Sequence, residues 1–129
     1  MRIVLVRHAD AASGTPDELR TLTSEGRDQA RRLGERLRAE GISPDAVLTS
    51  PLLRARETAE ALGLGKPQAQ EALAPGATPE DVRAAVEGHG DTVLVVGHQP
   101  DCSRIAAAIS GGPEPRFPPA GVVVLDLPK

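Results

Sequence analysis

Aromatic residues are almost absent from this chain of 129 residues, which has no tryptophan, no tyrosine and a single phenylalanine, Phe117. The hydrophobic core must therefore be built from aliphatic side chains. Proteins that bind nucleic acids use aromatic rings as stacking platforms for bases, and they carry a basic surface. Because this chain has a net charge of −3, its composition predicts no nucleic-acid partner.

Cysteine is nearly missing as well. The lone Cys102 cannot form an internal disulfide, and without a second cysteine it does not indicate a thiolate zinc site. We interpret it as a small buried apolar side chain.

Long apolar runs are also missing. No segment approaches the ~20 residues that a membrane span needs, and the first apolar run meets a charge at Arg7. The sequence therefore predicts a cytoplasmic protein with no membrane partner. Its length, with 40% hydrophobic and 26% charged residues, predicts one domain over residues 1–129.

Short apolar segments alternate with helical patterns along the chain. Helices are predicted to begin after the capping residue Thr23, at Ser50 and Pro51 as N-cap and first helical residue, after Thr78, and near Pro100. The predicted strands cover residues 3–6, 46–49, 92–96 and 122–127, with a short one around 68–72. This alternation predicts a single-domain α/β protein, a three-layer α/β/α sandwich with a mostly parallel central sheet.

Four basic side chains lie just beyond the predicted strands, either at a strand end or at the start of the helix that follows. Arg7 and His8 follow the first strand, His98 follows the strand at 92–96, and Arg54 begins the helix after a third strand. Ligands of open α/β sheets bind at the carboxyl ends of the strands. Two guanidinium groups and two imidazoles there predict an oxyanion site. Phosphate fits the arginine forks best, and carboxylate or sulfate stays possible.

A neutral imidazole can also attack phosphorus and hold the phosphoryl group covalently. We expect His8 to be this nucleophile, with His98 stabilising charge or moving a proton. Arg7, Arg54 and His98 would supply the electrostatic stabilisation on which phosphoryl transfer mainly depends. The scheme requires no cofactor and no metal.

Four motifs carry a resemblance to a known family. They are V-R-H at 6–8, R-T-L-T-S-E-G at 20–26, S-P-L-L-R-A-R-E-T-A at 50–59 and V-G-H-Q-P at 96–100. In their order and spacing they resemble the histidine phosphatase superfamily, which has the phosphoglycerate mutase-like fold, and most of all its short SixA-type phosphohistidine phosphatases.

The resemblance implies that His8 becomes phosphorylated and that Arg7, Arg54 and His98 complete a phosphate pocket. It implies phosphohistidine on a signalling or phosphotransfer protein as the substrate, since the chain lacks the inserted capping segments of longer members and should leave an open site that admits a phosphorylated side chain. Arg20 matches the family segment near the site, and Gln99 follows His98 closely enough to line the pocket. Both are candidates for substrate binding.

Two features depart from the family pattern or stay open. The usual Arg-His-Gly reads Arg7-His8-Ala9 here, so the backbone after His8 has to do without glycine's freedom. The proton donor is not placed, with Asp10, Glu57 and Glu71 as candidates. A site without a strong acid should favour phosphohistidine over alkyl esters, because an imidazole leaves more readily than an alkoxide.

The same residues also fit other functions. The substrate could be a small phosphate ester instead of a phosphorylated protein, with the chain acting as a phosphomonoesterase or a mutase. A non-catalytic regulatory module that binds phosphate is a second alternative. A metal hydrolase built on His8, His98 and Asp10 is a third, which the two arginines disfavour because they repel a cation. The sequence does not predict the oligomeric state.

Overall fold

The computed structural model describes residues 1–128, so the last residue of the predicted domain lies outside the described part. A five-stranded sheet with the order β3-β2-β4-β1-β5 forms its centre. The strands are β1 (Arg2–Arg7), β2 (Ala46–Thr49), β3 (Pro67–Ala69), β4 (Thr92–Gly97) and β5 (Val122–Asp126). Only β5 of these strands runs antiparallel, along β1, and the other pairings are parallel. The predicted mostly parallel sheet is confirmed.

Four helices cover the two faces of this sheet. They are α1 (Ser24–Ala39), α2 (Leu53–Leu62), α3 (Pro79–Val86) and α4 (Asp101–Ser110). Side chains alternate along β1, so Val4 and Val6 pack with α1 and α2, while Ile3 and Leu5 pack with α3 and α4. The predicted three-layer α/β/α sandwich follows from this alternation. None of the helices within residues 1–128 has the length and apolarity to cross a membrane.

The predicted helix starts are confirmed at two of three caps. The Thr23 hydroxyl accepts the Gly26 N–H at 3.0 Å, and Thr78 forms a capping box with Asp81. The prediction for Ser50 as an N-cap is wrong. Pro51 is not the first helical residue either, since α2 begins at Leu53 and its N-cap, Leu52, makes no side-chain cap. The Ser50 hydroxyl lies ahead of the helix and contacts His98.

Two connecting segments contain more structure than the sequence pattern indicated. The segment predicted as a loop from residue 9 to 22 includes a 3₁₀ helix, Asp17–Leu19, in which no residue is buried. The short strand predicted around 68–72 is β3, which begins earlier, and it is followed by a second 3₁₀ helix, Glu71–Leu73. The first 3₁₀ helix lies beside the candidate site.

Candidate active site

His8 lies directly after β1, at the carboxyl edge of the sheet. Its backbone N–H donates to the Gly97 carbonyl at 3.0 Å, which fixes it next to the end of β4. The side-chain Nδ1 lies 2.7 Å from the Ala9 carbonyl oxygen. A carbonyl can only accept, so Nδ1 carries the proton and donates it. In the neutral ring the lone pair is therefore on Nε2.

The surroundings of His8 favour that neutral ring. Burial lowers the pKa of His8 below its ordinary value, and the positive charges of Arg54, Arg7 and Arg20 lower it further. The hydrogen bond to Ala9 acts in the opposite direction without reversing the shift. Because the pKa is lowered, His8 is uncharged near neutral pH, the state in which an imidazole is nucleophilic.

Ala9, the residue after His8, has a backbone conformation that does not require glycine. Ala9 is fully buried, and its N–H donates to the Thr58 hydroxyl at 2.9 Å. Thr58 in turn donates to the Arg54 carbonyl at 2.8 Å, so it joins the chain after His8 to the first turn of α2. Within residues 1–128 the one non-glycine residue with positive φ is Ala120. The alanine in place of the family's glycine therefore causes no backbone strain.

His98 follows β4 and lies beside His8. The two ring centroids are 5.2 Å apart, with an angle of 59° between the ring planes. His98 is 4% exposed. Burial lowers its pKa from 6.5 to about 3, and the charge of His8, once that ring is protonated in acid, and the charge of Arg54 contribute to the shift. His98 is therefore neutral as well, and it can act through a hydrogen bond.

Ser50 selects the tautomer of His98. The Ser50 Oγ lies 2.7 Å from His98 Nε2 and accepts the Leu52 N–H at 3.2 Å. Ser50 is fully buried, so its hydroxyl proton needs an acceptor, and within the described chain His98 Nε2 is in place to accept it. His98 Nε2 then accepts, and the ring proton is on Nδ1. Sequence reasoning missed this role because a serine before a proline also has the pattern of a helix cap.

Arg7 and Arg54 bring two guanidinium groups to the same edge. Arg7 Nη1 donates to the Phe117 carbonyl at 2.9 Å. The Nε atoms of both arginines and Nδ1 of His98 are buried and have no hydrogen-bond partner within residues 1–128. Buried polar atoms almost always have a partner, so three unpaired nitrogens from neighbouring groups are typical of a site that binds an anion.

Arg20 also belongs to this cluster, and it is joined there by a residue that sequence reasoning missed. Asp17 contacts Arg20 Nη1 through Oδ1 at 3.1 Å and Arg54 Nη2 through Oδ2 at 3.2 Å. The hydrogen bond from Arg20, followed by the one from Arg54, holds the pKa of Asp17 below its usual range. Asp17 is thus a carboxylate lying against two candidate phosphate ligands. Its exposed loop gave no pattern by which the sequence could have indicated this.

The remaining candidates make no side-chain hydrogen bond to the site's histidines or arginines within residues 1–128. The Gln99 side chain is tied to Ser103, accepting its N–H at 3.0 Å and donating to its hydroxyl at 2.8 Å. The Asp10 carboxylate accepts the Thr23 hydroxyl at 2.7 Å and so braces the start of α1. Glu71 is exposed, and within residues 1–128 its side chain makes no hydrogen bond or ion pair with the two histidines or the arginines.

Glu57 is part of a separate ion-pair cluster. Its carboxylate accepts from the Thr21 hydroxyl at 2.7 Å and the Leu22 N–H at 2.8 Å, and it pairs with Arg27 at 3.2 Å. Burial alone would raise the pKa of Glu57, but these hydrogen bonds and the arginine charge lower it. Neither Asp10, Glu57 nor Glu71 is placed by the structure as a proton donor to the site.

The cysteine is buried in the folded protein. Cys102 is 1% exposed, and burial raises the pKa of its thiol to about 12, which agrees with a small apolar role. Among residues 1–128, no group of three or more His, Cys, Asp or Glu side chains is placed to hold a metal ion.

An open groove extends from the site along the segment that precedes β5. Its volume is about 690 Å³, and Arg7, Gln99, Glu114, Arg116 and Phe117 are among its lining residues. Two hydrogen bonds fix its wall, from Arg7 to the Phe117 carbonyl and from Ser103 to the Pro115 carbonyl at 2.6 Å. Arg7 lines this groove and also belongs to the candidate site, so the groove adjoins the site at Arg7.

Comparisons with known proteins give the same family from the sequence and from the fold. The sequence profile of the histidine phosphatase superfamily (branch 1) matches residues 3–74. The chain is 33% identical over 126 residues to the phosphohistidine phosphatase SixA of Escherichia coli K12, covering 89% of this chain and 78% of that protein. An uncharacterized protein of Picosynechococcus is 38% identical over 123 residues, covering 87% and 74%.

Solved structures with the same fold include two proteins with different activities. The protein histidine phosphatase SixA complexed with tungstate superposes with a TM-score of 0.86 at 27% identity, covering 96% of this chain and 86% of that one. A phosphoglycerate mutase from Thermus thermophilus superposes with a TM-score of 0.73 at 26% identity, covering 100% and 95%.

Proposed function

This chain belongs to the histidine phosphatase superfamily and is a hydrolase of phosphoryl groups, and we propose that its substrate is phosphohistidine on another protein. In the proposed reaction His8 Nε2 attacks phosphorus and forms a P–N bond, while the bond from phosphorus to the substrate imidazole breaks. Water then attacks the same phosphorus, the bond to Nε2 breaks, and inorganic phosphate leaves.

The state of His8 is the observation that supports this mechanism most directly. Its Nδ1–H donates to the Ala9 carbonyl at 2.7 Å, which leaves the lone pair of the neutral ring on Nε2. Burial and three neighbouring arginine charges keep its pKa low. A positioned neutral imidazole is what covalent transfer to a histidine needs, and the fixed Nδ1 avoids a rotation of the ring at the moment of attack.

The groups around His8 suit the charge that moves in the reaction. Arg7 and Arg54 would bind phosphoryl oxygens through fork-shaped pairs of N–H groups. His98, with its proton on Nδ1 and Nε2 satisfied by Ser50, would donate a further hydrogen bond to the phosphoryl group. Fixed donors of this kind stabilise the transition state without reorganising. Arg20, held to the Ala12 carbonyl at 2.8 Å, would add positive charge at the rim.

Two observations favour phosphohistidine over an alkyl ester as the substrate. Asp10 and Glu57 are engaged elsewhere, and Glu71 is exposed and makes no hydrogen bond to the histidines within residues 1–128. A substrate whose leaving group is an imidazole depends less on a dedicated acid than one with an alkoxide leaving group. The open groove of about 690 Å³ beside Arg7 would also admit the polypeptide around a phosphorylated side chain. The similarity to a phosphohistidine phosphatase of Escherichia coli agrees with this choice.

A small-molecule phosphatase or mutase is the second candidate, which the similarity to a phosphoglycerate mutase favours. The two candidates differ in their dependence on an acid. General acid catalysis contributes roughly 10²–10⁴-fold, so an enzyme without it should turn over an alkyl phosphate at least about a hundredfold more slowly than phosphohistidine.

The test compares kcat/KM for a histidine peptide phosphorylated with phosphoramidate and for an alkyl phosphate. Wild type, His8→Ala and His89→Ala are measured, where His89 is a histidine of the α3–β4 turn and serves as the matched control. We expect activity on the phosphopeptide in wild type and His89→Ala and its loss in His8→Ala. Comparable turnover of both substrates would contradict the proposed substrate, and activity of His8→Ala would contradict the mechanism.

A further inference from the structure

Asp17 places a carboxylate on the same guanidinium groups that are proposed to bind phosphate. Its Oδ2 lies 3.2 Å from Arg54 Nη2, and its Oδ1 lies 3.1 Å from Arg20 Nη1. The backbone carbonyl of Asp17 accepts a hydrogen bond from Arg54 Nη1 at 2.9 Å. Both terminal nitrogens of Arg54 are therefore engaged by this one residue, and a phosphoryl group has to share or replace those contacts.

The two partners of the ion pair differ in how firmly they are held. The Arg54 side chain is 8% exposed, whereas that of Asp17 is 61% exposed. Arg54 belongs to the first turn of α2, and Asp17 lies on the 3₁₀ helix Asp17–Leu19, which buries no residue. The cation is therefore fixed, and the carboxylate can move into water at little cost, since ion pairs with an exposed partner contribute little to stability.

We propose that Asp17 sets the affinity of this site for oxyanions by competing with the phosphoryl group for Arg54 and Arg20. Its carboxylate yields when substrate binds and returns as inorganic phosphate leaves, so the product does not stay on the arginines. This role takes one element from the proposed function, namely that the ligand is a phosphoryl oxyanion. Arg20 and Arg54 hold the pKa of Asp17 low, so near neutral pH it is an anion rather than a proton donor.

A positioning role for Asp17 makes the opposite prediction. If the carboxylate were needed to orient Arg54, its removal would weaken anion binding, because the guanidinium would lose its geometry. If Asp17 competes, its removal strengthens binding, because a negative charge next to the ligand is lost. Asp17→Asn separates the two, since asparagine keeps the size of the side chain and the backbone carbonyl bond to Arg54.

The experiment is calorimetric titration of the whole protein with tungstate and with inorganic phosphate at neutral pH. Wild type, Asp17→Asn, Asp17→Ala and Glu18→Gln are compared. Glu18 is exposed and next to Asp17 on the same 3₁₀ helix, and within the described residues it forms no ion pair. Its variant therefore removes the same charge without removing the contact. Thermal unfolding verifies that each variant is folded.

We expect the Kd of both anions to fall about threefold to tenfold in the two Asp17 variants, and to stay within about twofold in Glu18→Gln. Inhibition of turnover by phosphate should become stronger in parallel. An unchanged or higher Kd in Asp17→Asn would overturn the inference. An equal fall in Glu18→Gln would also overturn it, because net charge alone would then explain the result. If neither wild type nor any variant bound the anions, the inference would also be overturned.

Failure of this inference is distinguishable from failure of the proposed function. Anion binding at equilibrium requires no turnover, so the sign of the Asp17 effect is measured even if His8 never becomes phosphorylated. Conversely, a phosphorylated His8 with weaker anion binding in Asp17→Asn would support the proposed function and overturn the role of Asp17.

Discussion

The buried imidazole of His98 should make the folded protein sensitive to mild acid. In the folded state its pKa is lowered from 6.5 to about 3, with burial as the largest cause. In the unfolded chain the ring takes up a proton near the ordinary value of about 6.5. Between these two values the unfolded state binds more protons than the folded state, so the free energy of unfolding falls as the pH is lowered below 6.5.

The size of the effect at pH 5 follows from the two pKa values. Protonation of His98 favours the unfolded state by RT ln[(1 + 10^(6.5−5))/(1 + 10^(3−5))], with 6.5 and about 3 as the two values, which is about 2 kcal/mol. This figure depends mainly on the unfolded value, since a folded pKa one unit higher would change it by only about 0.05 kcal/mol. It is a sizeable part of the ~5–15 kcal/mol by which a domain is stable.

The assay is urea unfolding at pH 8 and at pH 5 for wild type, His98→Asn and His89→Asn. His98→Asn loses contacts at both pH values, so the difference between the two pH values isolates the titration. We expect wild type and His89→Asn to lose about 2 kcal/mol more than His98→Asn between pH 8 and pH 5. An equal loss in all three proteins would refute the neutral buried state of His98.

Three other side chains give further predictions. Thr58→Val leaves the buried Ala9 N–H without its 2.9 Å acceptor, while the Arg54 carbonyl loses the 2.8 Å hydroxyl bond and keeps its helical N–H partner. Urea unfolding should therefore register a loss of about 1–3 kcal/mol, and kcat should fall. Gly34→Ala would drive a Cβ into the Leu62 carbonyl oxygen; despite the better helix propensity of alanine, we expect a loss of about 1–3 kcal/mol, and a stabilised variant would contradict that packing. Cys102, with a thiol pKa of about 12, should react with a disulfide reagent in urea and not in the folded protein, as spectrophotometry of the released thiolate would reveal.

The elements of the fold could be predicted from the sequence where local signals agreed. The runs IVLV and TVLVV are apolar on both faces because helices cover both sides of the sheet, and this gave β1 and β4 within one residue at each end. Caps at Thr23 and Thr78 gave two helix starts. The order of the strands, with β4 between β2 and β1, is determined by long-range packing. No local sequence pattern indicates it.

The candidate site could be predicted in part, because local sequence signals predict where the strands end. Arg7, His8 and His98 were placed because strand ends are predictable and lie at one edge of a parallel sheet. Ser50 and Asp17 could not be placed, since their contacts to His98 and Arg54 cross 48 and 37 residues of sequence. In the sequence, a serine before proline is explained as a helix cap, and an acid in an exposed loop is explained as a solvated charge. Their contacts in the site appear only in the folded structure.

Mapping the phosphorylated residue tests the central claim most directly. Wild type and His8→Ala, with His98→Asn as a second variant, are mixed with labelled phosphoramidate, quenched in alkaline denaturant that preserves phosphohistidine, and digested for peptide mass analysis. We predict label on His8 in wild type, reduced label in His98→Asn and none in His8→Ala. Label on another residue, or phosphate release at the wild-type rate from His8→Ala, would contradict a covalent mechanism through His8.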